Sequence, residues 1–541
     1  MKKILKSILC VSLAAVCLTS FTSCIEETEP TTVATDKQIA ESSSATEALL
    51  MAMPAYFNKF TDNGWHHGFG YGSMMYIRDL MTGDMCHTNN QSGYHSHFYY
   101  WARNQYQGDG YIFCQFIFNY YYQFVLATNN TIGGINPETA TDEQLGWLGA
   151  GHAFRAMLYL DIARCYEYLP CDATSNINAD GNNVLNLTAP IVKAGQSLEE
   201  TTNNPRAPRE EMKAFIEEDL NLAEQYIVNL TNTQNNTLPT LACVYGLKAR
   251  LYMWVEDYAN AQKYARMAIN AASVNPMTED DCLNTTTGFN DISKWMWGAS
   301  LTQEDDVVQT GIINWASWLS NQTQFGYTGP ATGLYNMIDA SMYERISDTD
   351  IRKLLFVAPK GTALDGKTPY INKDDAANFV EYTAVKFRPA QGNIEDFKTG
   401  ASTAYPIMRV EEMYFIEAEA AAHSNPGEGK ALLENFMKTY RDANYMCNKT
   451  STEDVVEEIV FQKRVELWGE GQTFFDIKRL NYSVTRGYPG TNWYESTCFN
   501  TTGRPAWMNF VFIRTESNNN KALVGWNNPD PSDCYEPWIE K

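Results

Sequence analysis

Six glutamates in two C-terminal segments form a dense group of carboxylates. They are Glu411, Glu412, Glu417, Glu419, Glu466 and Glu470. Hydrolysis of a glycosidic bond needs two carboxylates flanking that bond, so the group could belong to a hydrolase. Arg409, Arg464 and Arg479 accompany the glutamates at helical spacing, however, which favours ion pairs between packed helices. We therefore predict that these glutamates are structural and that the chain has no catalytic residue.

A second chemical group consists of five of the seven histidines. They are His66, His67, His87, His95 and His97. Cys86, Asp79 and Asp84 lie among them, and imidazole and carboxylate are ordinary ligands of transition metals. Because the spacing fits no defined metal motif, we interpret these residues as polar loop residues and predict neither a metal nor a cofactor. A transition-metal site is the alternative.

Aromatic residues make up 13% of the chain, and several occur with Asn, Gly and Gln in stretches without helical period. The apolar face of a sugar ring stacks on flat aromatic side chains, while neighbouring polar groups bind its hydroxyls. We predict ligand contacts at Trp65, Asp79, Tyr94, Trp101, Asn314, Trp315, Trp318, Gln324 and Tyr327. Trp315 and Trp318 are three residues apart, so a short helix there could present both indoles as a platform. The alternative is that the tryptophans fill the core.

The elements that position these residues are mainly helical. Residues 141–170 begin with an Asp142 cap and stop at a proline, and residues 206–230 carry an amphipathic stripe. Residues 405–441 predict a helix pair broken at an Asn-Pro-Gly turn, and residues 452–480 predict a further long helix and turn.

Residues 239–273 are the most informative helical segment. Ala249, Tyr252, Ala261 and Ala268 match the small and aromatic positions of a tetratricopeptide repeat, where small residues let two helices approach closely. The sequence thus predicts a mainly α fold of tetratricopeptide-like helical hairpins, at about 141–273 and 405–480. Long irregular loop insertions, at about 60–110 and 275–400, should carry the ligand site because loops on a rigid frame concentrate function.

The N-terminus has the pattern of an export signal. Lys2, Lys3 and Lys6 precede an apolar stretch that is too short to span a bilayer, and small polar residues then lead to Cys24. This arrangement resembles a bacterial lipobox and predicts a signal peptide at 1–23 and lipidation of Cys24. Residues 24–45 should form a flexible tether, and 46–541 a single folded domain.

The net charge of −23 makes nucleic acid and anionic lipid poor partners for the folded surface. No apolar run after Cys24 is long enough for a membrane helix, so membrane contact should depend on the lipid anchor. The acidic residues directly after Cys24 resemble the surface-export signal of some outer-membrane lipoproteins. We therefore expect a lipid-anchored protein of the cell outer membrane that faces the extracellular side.

Two C-terminal motifs resemble those of the SusD/RagB family of outer-membrane nutrient-binding lipoproteins. The first is RVEEMYFIEAEA at 409–420, and the second is QKRVELWGEG at 462–471 followed by FFDIKR at 474–479. Gln462 stands where the family usually has Glu, and Thr473 where it often has Arg. The lipobox and the helical segments occur in the family's order, so the resemblance covers most of the mature chain.

The resemblance implies a binding protein without catalysis, built on tetratricopeptide-like hairpins and seated as a lid on a SusC-like TonB-dependent transporter, which is a β-barrel. The expected function is capture of an oligosaccharide or polysaccharide and its delivery to that transporter. Two alternatives stay open at this stage: peptide or glycoprotein cargo in the same complex, and a surface glycoside hydrolase that uses acids such as Asp79 and Asp84.

Overall fold

The computed structural model describes residues 43–60, 65–88 and 96–540. The helices of the N-terminal half are α1 (Ser43–Tyr56), α2 (Tyr71–Leu80), α3 (Ser96–Ala102), α4 (Ile112–Gly133), α5 (Asp142–Tyr166), α6 (Leu198–Thr201), α7 (Arg209–Tyr226), α8 (Leu241–Trp254) and α9 (Tyr258–Ala271). Those of the C-terminal half are α10 (Glu279–Leu283), α11 (Asp306–Gln309), α12 (Trp315–Leu319), α13 (Ala340–Arg345), α14 (Lys373–Ala376), α15 (Phe397–Gly400), α16 (Val410–Ser424), α17 (Pro426–Tyr440), α18 (Thr452–Glu466), α19 (Thr473–Leu480) and α20 (Arg514–Asn519). The predicted mainly α fold is confirmed.

Helical hairpins form the scaffold, as the small-residue pattern predicts. Helices α8 and α9 pack on each other, α9 packs on α16, and α16 packs on α17. Ala249, Ala261 and Ala268 are fully buried where these helices meet, which allows close approach of the backbones. Helix α17 begins with a proline in its first turn and an Asn425 cap, so the predicted break between α16 and α17 is confirmed.

Two local predictions are wrong. The cap of α5 is Thr141 and not Asp142, because the Thr141 side chain and Gln144 form a reciprocal capping box. Residues 405–408 do not begin a helix but belong to strand β4 (Ala404–Met408), in which all five residues are buried. A short apolar run that is buried on both faces is compatible with a strand or a helix. Residues 404–408 form a strand because they pair with β2 (Trp297–Ser300).

Helix α4 has no predicted counterpart, and α2 lies inside a segment that the sequence describes as irregular. All ten residues of α2 are buried, so no exposed polar face gives it a helical period. Helix α4 is 22 residues long and rich in Phe and Tyr. Both helices join α5, α7 and α8 around the main hydrophobic core. The insertion at 275–400, by contrast, has only short elements, in agreement with its lack of period.

A buried ion-pair cluster holds the C-terminal helices together. Arg409 contacts Glu411 at 2.9 Å, Glu466 at 3.0 Å and Glu470 at 2.9 Å. Its other members are Asp350, Arg352, Lys386 and Arg441. The remaining predicted glutamates also pair with arginines: Glu412 with Arg250, Glu417 with Arg266 and Glu419 with Arg479. The prediction of structural ion pairs is confirmed, although Arg464 pairs with Asp84 and with none of the six glutamates.

The cluster keeps Glu466 ionised. Burial alone would raise the pKa of the Glu466 carboxyl, but Arg441, Arg409 and Arg352 hold that pKa well below its usual value. A carboxyl with a lowered folded-state pKa stabilises the fold above its unfolded pKa, and this contribution is lost as the pH falls through the folded value. The cluster therefore stays intact in mildly acidic solution.

Several predictions concern residues outside the described ranges. The signal peptide, Cys24, nearly all of the tether, Tyr94 and His95 lie there. Within the described ranges, none of the helices is both long and apolar enough to cross a membrane. In the same part of the chain, no group of three or more His, Cys, Asp or Glu side chains is arranged to hold a metal ion.

We predict that Arg409→Met lowers the free energy of unfolding by about 3–5 kcal/mol, because it leaves buried carboxylates without their partner. The matched control is Lys438→Met, which breaks the exposed pair of Lys438 with Glu434 and should cost less than about 1 kcal/mol. Urea unfolding of both variants measures the difference. Equal unfolding midpoints for the two variants would contradict a stabilising role of the cluster.

Candidate functional site

The two irregular insertions meet at a small antiparallel sheet. Strand β1 (Met85–His87) pairs with β3 (Asn336–Ile338), with Met85 opposite Ile338 and His87 opposite Asn336. The backbone N–H of Thr88 continues the pairing by donating to the carbonyl of Tyr335 at 3.0 Å. The segments that the sequence treats separately are thus joined into one region of the protein.

Six of the predicted ligand contacts lie in the interior: Asp79, Trp101, Asn314, Trp315, Trp318 and Tyr327. The predicted short helix is present as α12, and the Asn314 side chain caps it by accepting from Ser317 N–H at 2.9 Å. Both indoles of α12 are only 1% exposed, however. The expected open platform is therefore wrong in geometry: Trp315 stacks on Tyr405 and Trp318 stacks on Tyr327, so both rings fill the core.

The acids of the hydrolase alternative are also buried. Asp79 accepts from the backbone N–H of Gly471 at 2.9 Å, and burial raises the pKa of the Asp79 carboxyl. Asp84 is bound to Arg464 and to no other acid or base of the described chain. Each of these two carboxyls thus holds the C-terminal segment against the first insertion.

Trp65 and Gln324 lie nearer the surface. Trp65 is partly exposed and stacks on His67, with 5.4 Å between ring centroids. Beside it, His66 hydrogen-bonds to the hydroxyl of Tyr327, and its carbonyl accepts from the Trp318 indole at 2.9 Å. The two insertions therefore bring Trp65 and the Trp318–Tyr327 stack together, as the prediction of one shared site requires. The assignment of each of these side chains as a ligand contact stays a prediction.

The exposed Gln324 belongs to a partly exposed aromatic surface whose other residues the sequence did not single out. We call it the 370–379 surface and define it as Gln324, Tyr370, Asn372, Asp375 and Phe379. The rings of Tyr370 and Phe379 contact each other with 5.9 Å between centroids, and both are partly exposed. The Asp375 carboxylate accepts from the Gln324 amide at 2.8 Å and from the Asn372 amide at 2.9 Å.

The chemistry of the 370–379 surface is that of a stacking site rimmed by hydrogen-bonding groups. Burial raises the pKa of the Tyr370 hydroxyl, so this group is a neutral donor at physiological pH. The ring of Phe379 also packs on Tyr335, directly beside the β1–β3 sheet. The sequence signal for this surface is the mixture of aromatic and amide residues at 370–379, which is similar in composition to the stretches around the predicted contacts.

A second aromatic surface lies on the first insertion. Tyr106 and Tyr111 are 43% and 45% exposed, and their rings are 5.1 Å apart. Tyr100 contacts Tyr106 edge-on at 4.7 Å. We call these three residues the tyrosine trio. It offers stacking area but no amide or carboxylate network of the kind that rims the 370–379 surface.

Comparison with known proteins relates this architecture to one family. Residues 341–527 match the SusD family. A SusD-like carbohydrate binding protein from Bacteroides vulgatus has the same fold, with a TM-score of 0.67 and 21% identity over 89% of this chain and 97% of that one. A SusD superfamily protein from Bacteroides thetaiotaomicron matches with a TM-score of 0.66 and 17% identity over 90% and 99% of the two chains. No curated protein matches.

The fold and the C-terminal match agree with the resemblance of the sequence motifs. Residues 341–527 are thus similar to the SusD family, and most of the chain shares the fold of the SusD-like structures.

We predict that Trp318→Ala lowers the free energy of unfolding by about 3–5 kcal/mol, because it leaves a cavity under the second insertion. Gln324→Ala, at an exposed position of the same insertion, should change it by less than about 0.5 kcal/mol. Denaturant titrations of both variants test the core assignment. If Trp318→Ala unfolds at the same denaturant concentration as the parent protein, the indole is not a core residue.

Proposed function

We propose that the protein is a cell-surface glycan-binding protein that captures an oligosaccharide or polysaccharide and delivers it to a SusC-like TonB-dependent transporter. The observation that carries the proposal is the 370–379 surface, where two aromatic rings lie beside an amide–carboxylate network. A sugar ring has apolar faces and a rim of hydroxyls, and this surface offers a partner for each. The match of residues 341–527 to the SusD family and the similar fold of the carbohydrate binding protein from Bacteroides vulgatus support the same class of ligand.

A binding role without catalysis fits the use of the carboxylates. The six clustered glutamates all form ion pairs with arginine or lysine. Glycosidases need two carboxylates that face a shared cleft, one of which acts as an acid. Asp375 is the one acid of the 370–379 surface, and its carboxylate is engaged by two amides. Glycan capture is therefore better supported than hydrolysis.

The cellular setting follows from the sequence and the family. Lipidation of Cys24 would hold the protein at the outer membrane, with the tether between the anchor and the folded part. A tethered binding protein has a high effective concentration near a partner in the same membrane. Since it cannot move cargo across that membrane, a TonB-dependent transporter is the partner that the function requires. Peptide or glycoprotein cargo is the competing reading, and the ligand experiment separates the two.

We predict that the double variant Tyr370→Ala/Phe379→Ala weakens binding to polysaccharide about tenfold or more, because truncation of stacked aromatic anchors removes most of the contact energy. Affinity electrophoresis across a polysaccharide panel gives the retention, and melting temperatures verify folding. The matched control is Tyr106→Ala/Tyr111→Ala in the tyrosine trio, which should bind normally. Loss of binding only in the control would move the site to the trio. Binding of peptides and of no polysaccharide would contradict glycan cargo.

We also predict that the native protein, purified from membranes in mild detergent, carries a TonB-dependent transporter with it. The Cys24→Ala variant should recover much less of the transporter, because without the anchor the two proteins are no longer concentrated in one membrane. Mass spectrometry of the purified fractions measures the ratio. Recovery of the protein alone, from an extract that contains the transporter, would contradict delivery to that partner.

A further inference from the structure

Three buried arginines form no ion pair with a carboxylate of the described chain: Arg206, Arg388 and Arg486. A buried charge is costly unless hydrogen bonds replace the water that it loses. Two of the three are fully compensated. Arg486 donates to the carbonyls of Leu80, Ala102 and Thr82, and Arg206 donates to four backbone carbonyls and an asparagine.

Arg388 lacks this compensation. Its guanidinium makes one hydrogen bond, from Nη2 to the carbonyl of Pro369 at 2.8 Å, while Nε and Nη1 are buried without a partner. Burial lowers the pKa of Arg388 to about 10, so the group is still charged at neutral pH. Lys386, two residues earlier, shows the contrast: its ammonium donates to Glu470 and to two backbone carbonyls.

A second open donor is bound by the same short segment as Arg388. The Nε2 atom of Gln322 is also buried without a partner, while Oε1 of the same amide accepts from the backbone N–H of Ile371 at 2.9 Å. Pro369 and Ile371 flank Tyr370, so both unsatisfied side chains are held by the short segment that carries the first ring of the 370–379 surface. Arg388 offers charged N–H groups and Gln322 a neutral one, and both call for an acceptor that the described part of the chain does not supply.

A short loop separates the Arg388 guanidinium from solvent. The loop 284–288 lies over Arg388, and a Cβ atom at Gly288 would be 2.5 Å from Cδ and 2.9 Å from Nε of the arginine. Gly288 has φ +54°, a left-handed conformation that glycine adopts without strain. The neighbouring residues Thr286 and Thr287 are exposed. This partly exposed loop therefore covers the guanidinium, and its opening would uncover the open N–H groups of Arg388.

We propose that Arg388 and Gln322 form a recognition site for the carboxylate of an acidic sugar residue, and that the loop 284–288 opens to admit it. This inference rests on the proposed function, since the acidic residue belongs to a glycan bound on the 370–379 surface. The carboxylate accepts from the open N–H groups of Arg388 and from the Gln322 amide, and it neutralises the buried charge. With a net charge of −23, the protein has no general attraction for polyanions, so selectivity for an acidic glycan must come from such a local site.

The test uses uronate-containing polysaccharides, polygalacturonate and glucuronoxylan, each beside its carboxyl-reduced form, which has the same backbone without the charge. We expect the parent protein to bind at least one acidic form about tenfold more tightly than its reduced form, the effect of a hydrogen-bonded charge. Arg388→Met should abolish that preference and leave binding of the reduced form unchanged. Lys373→Met, which removes an exposed cation beside Asp375, should retain the preference.

The outcomes separate this inference from the proposed function. Binding of the reduced form without any preference for the acidic one keeps the glycan function and overturns the acidic site, as does a preference that survives Arg388→Met. If Arg388→Met lowers the melting temperature and weakens binding of the acidic and the reduced form equally, Arg388 has a structural role. That result would also overturn the inference. Failure to bind any polysaccharide of the wider panel would overturn both proposals.

Discussion

The buried ion-pair cluster around Arg409 is the interaction on which the rest of the structure depends. Four basic and four acidic side chains take part: Arg352, Lys386, Arg409, Arg441, Asp350, Glu411, Glu466 and Glu470. Two of the bases come from the insertion at 275–400, whereas the glutamates come from α16, α18 and the turn after α18. The cluster therefore fixes the insertion on the helical scaffold as well as the helices on one another.

Such a cluster specifies how the elements are arranged more than it adds to the net free energy of unfolding. Removing charges from water costs nearly as much as their mutual attraction returns, so an apolar replacement of the whole set could be equally stable. A single missing partner, however, leaves a buried charge uncompensated, so the cluster favours the arrangement of helices and insertion that pairs these eight groups. The irregular insertion has few helices or strands of its own. The ion pairs therefore fix its position on the scaffold, which its secondary structure alone would not do.

The sequence predicted the structure correctly where a helical period or a charge pattern directly indicates a contact. The alanines of α8 and α9 predicted the close hairpin, and the alternation of Glu and Arg predicted the ion pairs. It failed where the decisive partner lies far away in the chain. Strand β4 is a strand because β2 pairs with it, and Trp318 is buried because Tyr327 and the carbonyl of His66 enclose it. A tryptophan in an aperiodic loop has the same sequence signature whether it faces solvent or the core.

The same argument explains why the 370–379 surface and Arg388 were not predicted. Lys386 and Arg388 are equivalent in sequence, being two cations on one buried stretch, yet the first is surrounded by acceptors and the second has one. The difference arises because Glu470 reaches Lys386 from the scaffold side, whereas Arg388 extends towards the segment 369–371 and the loop 284–288. Arg206 and Arg486 find backbone acceptors away from the cluster, whereas Arg388 has one in the described chain, and an acceptor from outside the chain would complete its set. The boundary between the scaffold and the proposed ligand surface thus passes between these two side chains.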